Sequence, residues 1–156
     1  MTTFTEGQFD AVVVGAGHAG VESALALART GFNTVMLTLN LDSIAFMACN
    51  PSIGGTAKGQ IVREIDALGG QMAISADKAM LQLRMLNRGK GAAVQSLRGQ
   101  MDKNHYHTVM KQVLENTENL KIVQGEAVEI LTENGKVTGV KTAYGGIFYC
   151  KAVILA

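Results

Sequence analysis

Gly15, Gly17 and Gly20 stand in the run 9–20 (FDAVVVGAGHAG) at a spacing suited to a pyrophosphate. Ala11 to Val14 is an apolar, valine-rich run that reads as a strand buried on both faces. It passes directly into Gly15-Ala16-Gly17-His18-Ala19-Gly20, and an alanine- and leucine-rich helical stretch follows. Strand, glycine turn and helix in that order give the G-x-G-x-x-G pattern its meaning. Gly15 permits the tight turn, Gly17 lets a phosphate approach the backbone, and Gly20 lets the helix lie close on the strand. The helix start adds unpaired N–H groups and a partial positive charge. The reading is a dinucleotide site, against the plainer alternative of a glycine-rich turn with no ligand.

Three further groups carry chemistry. Cys49 precedes Asn50-Pro51-Ser52-Ile53-Gly54-Gly55 on a glycine-rich loop and is a candidate nucleophile, or else a small buried hydrophobe. Arg84, Arg88, Lys90, Arg98, Lys103 and Lys111 face only Asp102 in opposition, with His105, Tyr106 and His107 nearby. That segment reads as a local phosphate surface or as a solvated helix face. His18, at the expected helix start, is placed to bond a phosphate or to pack. The histidines and cysteines lack metal-ligand spacing, so no metal site is expected. Cys150 lies in an alternating strand and reads as structural.

These groups need elements to hold them. The helix is expected over Val21 to Thr30, with Gly20, Ala24 and Ala28 on a small face and Gly31 as its stop. Thr34 to Leu39 completes a βαβ unit, parallel to the first strand. Dinucleotide folds usually place an acid near the end of that second strand to bind ribose hydroxyls. Here Thr38-Leu39-Asn40 stands instead, and the first acid is Asp42. A second helix is expected after Thr56, burying Ile61, Ile65 and Leu68 and stopping at Gly69. Leu81 to Leu86 alternates as a strand, Asn87 to Gly91 is a turn, and Leu97 to Leu114 reads as a helix. Short strands follow at Lys121–Val123, Ala127–Thr132, Val137–Ala143 and Ile147–Cys150, with hairpin signals at Asn134-Gly135 and Gly145-Gly146.

The fold expected is α/β: a Rossmann-like FAD-binding fold with a central parallel sheet and a small additional β-meander or hairpin layer. At 156 residues the chain suits one domain, and it ends on the apolar strand AVILA with nothing to cover it. Residues 1–156 are therefore expected to be the N-terminal part of a dinucleotide-fold domain, cut before that domain is complete. A hydrophobic content of 47% argues for a folded chain, and the net charge of +1 gives no global nucleic-acid signal. No apolar run approaches membrane-spanning length, the N-terminus MTTFTEGQ lacks a signal-peptide pattern, and two cysteines make no disulfide framework. A cytoplasmic location is expected.

GAGHAG, the block CNPSIGGTAKGQIVREIDALGG and the run LRMLNRGKGAAV resemble the N-terminal part of the MnmG family, also called GidA, over essentially the whole chain. The resemblance implies an FAD-dependent enzyme that works with the GTPase MnmE. Together they would build an aminomethyl or carboxymethylaminomethyl group on C5 of the wobble uridine of tRNA. Methylenetetrahydrofolate would supply the carbon and NADH would reduce the flavin. It also implies a homodimer in the full-length protein. Residue by residue, it puts Gly15, Ala16, Gly17, His18, Ala19 and Gly20 against the FAD pyrophosphate and the Ala127 backbone at the adenine. Cys49 would then attack uracil C6 or take part in methylene transfer; Lys90, between two glycines, is an alternative contact to the flavin or a folate carboxylate instead of part of the phosphate surface. The related folate- and FAD-dependent tRNA methyltransferase, a general flavin oxidoreductase and a mere binding module are the alternatives.

Overall fold

The computed structural model describes residues 2–48 and 50–156. The chain forms two compact units: one takes the chain up to Ala45 together with Val113–Ala156, and the other is Phe46–Gln112.

The first unit is built on the expected βαβ element. Strand β2 (Ala11–Val14) leads into helix α1 (His18–Arg29) and back through β3 (Thr34–Thr38). With β7 (Leu120–Gln124) and β11 (Ala152–Leu155) they make a four-stranded, all-parallel sheet in the order β11-β2-β3-β7. Every residue of β3 is buried, as a strand covered on both faces must be. On one face lies α1, which buries Gly20, Val21, Ala24, Leu25 and Ala28. It ends at Gly31, whose φ of +92° suits the left-handed position after a helix. There the Gly31 N–H donates to Ala28 O at 3.0 Å and the Phe32 N–H to Leu27 O at 3.1 Å.

A mixed sheet supplies the other layer. Strand β1 (Phe4–Gln8) runs parallel to β10 (Gly146–Tyr149), which pairs antiparallel with β9 (Lys136–Thr142) and then β8 (Ala127–Glu133). Asn134 and Gly135, both at positive φ, make the β8–β9 turn that the sequence signals. Phe9, Val12, Val35 and Leu37 pack with Val140, Phe148 and Cys150 in one buried cluster. The Phe9 and Phe148 rings lie 6.0 Å apart and tilted. Strand β1 was not expected from MTTFTEGQ; its polar, largely exposed residues give no alternating pattern, and it is held by pairing to β10 and by Asn33 Nδ2 donating to Gln8 O at 3.2 Å. Parallel sheet, helix and added meander thus stand as the sequence implied.

Asp10 ties three strand starts together. Its carboxylate accepts from Lys151 Nζ at 2.7 Å and from the Asn33 N–H at 3.0 Å. Those two bonds, the first foremost, hold the carboxyl below its ordinary 3.8, against a smaller opposing push from desolvation. A carboxylate depressed on folding stabilises above its unfolded value and loses that contribution as pH falls through the lower folded one. Asp10→Asn is therefore expected to melt below wild type at pH 6 in low salt, the gap narrowing as the pH falls below the ordinary 3.8. Added salt should shrink it too, because Lys151 is 78% exposed. A gap that does not narrow with falling pH would contradict the assignment.

The second unit departs from expectation. Its three-stranded antiparallel sheet has the order β4-β6-β5, from β4 (Ser52–Gly54), β5 (Met80–Leu86) and β6 (Ser96–Met101). Helices α2 (Lys58–Ala67) and α3 (Met72–Ala79) accompany it. The single helix expected over Leu97–Leu114 is instead strand β6 followed by α4 (Lys103–Glu115). Gly99 opposes a helix there. In the strand it sits where a Cβ would run into the end of the Met101 side chain. Asp102 starts α4 by accepting the His105 N–H at 2.9 Å.

The expected burial along α2 is also corrected. Ile61 and Leu68 are exposed, at 55% and 89%, while Val62 and Ile65 are half-buried, and no residue of α2 is fully buried. The helix therefore presents a different stripe from the one its spacing suggested. Its stop at Gly69 holds: φ is +88°, and the Gly70 N–H donates to Ile65 O at 2.9 Å.

Candidate functional site: a glycine turn at the edge of the parallel sheet

The turn after β2 is fixed by main-chain bonds. The Gly15 N–H donates to Leu37 O at 2.9 Å, holding the turn to β3, and the Ala45 N–H donates to Ala16 O at 2.8 Å. Gly15 has φ of +111°, and a Cβ there would collide with the Ala156 carbonyl beyond β11. At Gly20 a Cβ would collide with the Gly15 carbonyl, which is how the helix lies so close to the strand. Gly17 is different. Its φ of −69° is open to any residue, and a Cβ would meet nothing within 4 Å. Gly15 and Gly20 therefore serve the packing, and Gly17 leaves open the space in front of the helix.

Gly17 is the cap of α1 and brings no side chain to the first-turn amides. A helix start leaves such N–H groups without intrahelical partners and carries a partial positive charge. The chain enters α1 with no acidic residue in the first turn to neutralise it. His18 is half-buried, and that burial holds its imidazole below its ordinary value, with Glu22 opposing more weakly. Burial thus favours the neutral ring. Ala16 is buried and Ala19 is exposed, so the six residues of the motif divide between the core and the open side.

The order β11-β2-β3-β7 puts this turn at the switch point, where connections leave β2 in one direction and β11 joins from the other. Ligands of open parallel sheets occupy that carboxyl edge. Two positions along, the Gly125 N–H donates to Thr38 O at 2.8 Å, bringing the start of β8 and Ala127 to the same edge. At the ribose position Asn40 accepts the Asp42 N–H at 2.9 Å, and the Thr38 hydroxyl donates to Asn40 O at 3.1 Å. Both polar side chains that stand in for the usual acid thus each make one bond within the local turn.

A motif on this edge, of this shape, suits a dinucleotide, and comparison with known proteins then decides the family. Residues 10–156 match the family described as Glucose inhibited division protein A. The chain belongs to that family. Its relatives include the tRNA uridine 5-carboxymethylaminomethyl modification enzyme MnmG of Alkaliphilus oremlandii, 60% identical over all 156 residues but only 25% of the relative's length. That of Geobacillus kaustophilus is 58% identical over 96% of this chain and 24% of its own. Aquifex aeolicus GidA superposes with a TM-score of 0.91 at 54% identity, over 95% of this chain and 24% of that one. The chain thus spans about a quarter of the length of its family relatives. PqsL of Pseudomonas aeruginosa, described as a probable FAD-dependent monooxygenase, shares the fold at a TM-score of 0.64 and 13% identity.

The other sequence-derived candidates are scattered by the structure. Cys49 lies outside the described residues. Cys150 is a free thiol at 6% exposure in the first unit's core, and burial pushes its pKa up. The basic residues do not share a helix face: Arg84 and Arg98 lie on β5 and β6, and Arg88 and Lys90 on the turn between those strands. Only Lys103 and Lys111 lie on α4, and Lys103 Nζ sits 4.0 Å from the Phe46 ring centre. The turn is pinned by Asn87 Nδ2 donating to Val94 O at 2.9 Å and Gln95 Nε2 donating to Lys90 O at 3.0 Å. Sequence reasoning missed Arg84 facing Arg98, because recognising the pair required reading 96–101 as a strand.

Proposed function

We propose that this chain is the FAD-binding N-terminal portion of a cytoplasmic enzyme that modifies C5 of the wobble uridine of tRNA. The observation that carries the reading is the vacant approach to Gly17 at the start of α1, in a chain 60% identical throughout to relatives named for uridine modification. Gly15 to Gly20 hold the FAD pyrophosphate on first-turn amides, with Gly15 and Gly20 packing the turn and His18 beside it. The backbone at Ala127 meets the adenine end. The flavin, when bound, supplies two-electron redox chemistry, with NADH as reductant and methylenetetrahydrofolate as the carbon source. MnmE is the partner, and the full-length protein works as a homodimer.

Cys49 is the nucleophile in this reading. Its thiolate adds to C6 of the uracil, leaving the electron pair on C5, which bonds to the methylene carbon of the folate as one of that carbon's two C–N bonds breaks and the freed nitrogen takes a proton; an amine would later displace the second nitrogen. Loss of the C5 proton and departure of the thiolate restore the ring. The test is nucleoside mass spectrometry of tRNA given to the full-length protein with MnmE. Wobble uridine carrying an aminomethyl or carboxymethylaminomethyl group is expected from wild type. From Cys49→Ser we expect at least a hundredfold less product with flavin still bound. A simple methyl group on uridine would indicate the methyltransferase alternative, and unchanged tRNA would indicate an oxidoreductase or binding module. Full activity of Cys49→Ser would remove the thiol from the mechanism.

A further inference from the structure

The sheet of the second unit has two unlike faces. On one, Ile53, Leu83, Leu97 and Met101 line an apolar cavity of about 160 Å³ that Val62 of α2 and Ala76 of α3 help to close. The other face is polar. Register places Gln82 opposite Gln100 and Arg84 directly opposite Arg98, with Gly54 opposite Arg98 on the other side. Directly paired residues share a face, and like charges so placed repel one another. The register nevertheless sets two arginines directly opposite one another.

The same face carries a cleft of about 370 Å³, lined by Asn50, Ser52, Thr56, Lys58 and Arg98, with Leu86 and the backbone of Gly54 and Gly55. No carboxylate lines it. Among the described residues, neither Lys58, Arg84 nor Arg98 has an ion-pair partner. Thr56 is held in place by Asn87 Nδ2, which donates to its Oγ1 at 3.2 Å. Two cations, two hydroxyls and a side-chain amide therefore line a concave site with nothing of opposite charge, and Arg84 stands beside it, paired with Arg98 on the same face. A bidentate acceptor between the two guanidinium forks would turn the repulsion into attraction.

We propose that this polar face is a phosphate-binding site, with Arg84 and Arg98 gripping an RNA phosphodiester and Lys58 adding charge from the cleft. That the phosphodiester belongs to RNA rests on the function proposed above. Asn50 directly follows Cys49 in sequence, so a phosphate held in this cleft would tether the polynucleotide one residue along the chain from Cys49. Arg84 and Arg98 are positioning residues and take no part in bond making.

The experiment measures binding of an anticodon stem-loop RNA to the full-length protein over a series of KCl concentrations. Replacing both arginines, Arg84→Gln with Arg98→Gln, should make the slope of log affinity against log salt shallower by about 1.4 to 1.8. Affinity at low salt should fall about tenfold or more. Arg84→Gln alone, at an exposed position, should remove about half of that slope change. Arg84→Lys with Arg98→Lys keeps the charge and should keep the slope. A double Gln variant with the wild-type slope, or a wild-type protein that does not bind the RNA, overturns the site. The two readings fail separately. Wild type that modifies tRNA beside an unaltered variant slope removes only this site; a slope that responds while no modified uridine forms removes only the function.

Discussion

Phe148→Ala is expected to cost about 3–5 kcal/mol of stability, the usual consequence of emptying an aromatic site in a core. Phe148 is 1% exposed and lies against Phe9, where the meander sheet meets the parallel sheet. The flanking groups, Val12, Val35 and Val140, sit on strands whose backbones are fixed by pairing, so they cannot collapse into the void. Total stabilities of domains run to about 5–15 kcal/mol, so the loss is a large share. In the full-length protein the melting temperature of the transition that includes this region should fall by about 10 °C. A fall of less than about 2 °C would mean that the two sheets do not depend on this contact.

Gly20→Val is expected to prevent folding of the first unit, for a reason of backbone rather than side-chain crowding. The added Cβ meets the Gly15 carbonyl, which belongs to a turn held by its own bond to Leu37, and it lies 3.4 Å from the Ala156 side chain. Neither neighbour is the free end of a flexible side chain. Relief therefore requires α1 to move off β2, exposing Val21, Leu25 and Ala24, all at 1% exposure or less. The cost is on the order of 3 kcal/mol or more. Soluble expression and limited proteolysis of the full-length protein measure it: Gly20→Val should be cut rapidly within the first unit. A protease-resistant variant with wild-type yield would contradict the packing role.

The glycine turn and its βαβ frame were legible in the sequence because local rules agree there. A valine run, a glycine triplet and an alanine-faced helix with a glycine stop point to one structure, and burial along β2, α1 and β3 follows that pattern. The hairpin at Asn134-Gly135 was legible for the same reason: only such residues take positive φ at two successive positions. The stretch 96–115 was not. Leu97 and Met101 lie four apart, as on a helix, yet they sit on a strand whose pairing with β5 is set 10 to 21 residues away in the chain. Two local signals, Gly99 and the capping Asp102, marked the break. The apolar residues of α2 misled in the other direction, since the i, i+4, i+7 set Ile61, Ile65, Leu68 is not the buried stripe. Long-range pairing decided the second unit, and spacing within a window cannot see it.

The candidate site divides along the same line. Which residues form the phosphate turn was local information. What the sequence could not show is that Gly15 and Gly20 are occupied by packing while Gly17 alone faces open space. Nor could it show that Thr38 and Asn40 are engaged in their own turn at the ribose position.

Flavin affinity of Gly17→Val in the full-length protein, measured beside its melting temperature without ligand, tests the cofactor site most directly. At φ of −69° with no neighbour for the new Cβ, the substitution should lower the apoprotein's melting temperature by no more than a few degrees, the cost of a β-branched residue at a helix cap. The side chain would fill the space a pyrophosphate needs and cost at least two amide–phosphate bonds, about 3 kcal/mol or more, so FAD affinity should drop at least about a hundredfold. A Gly17→Val protein that is folded and binds FAD as tightly as wild type would place the dinucleotide somewhere other than the start of α1.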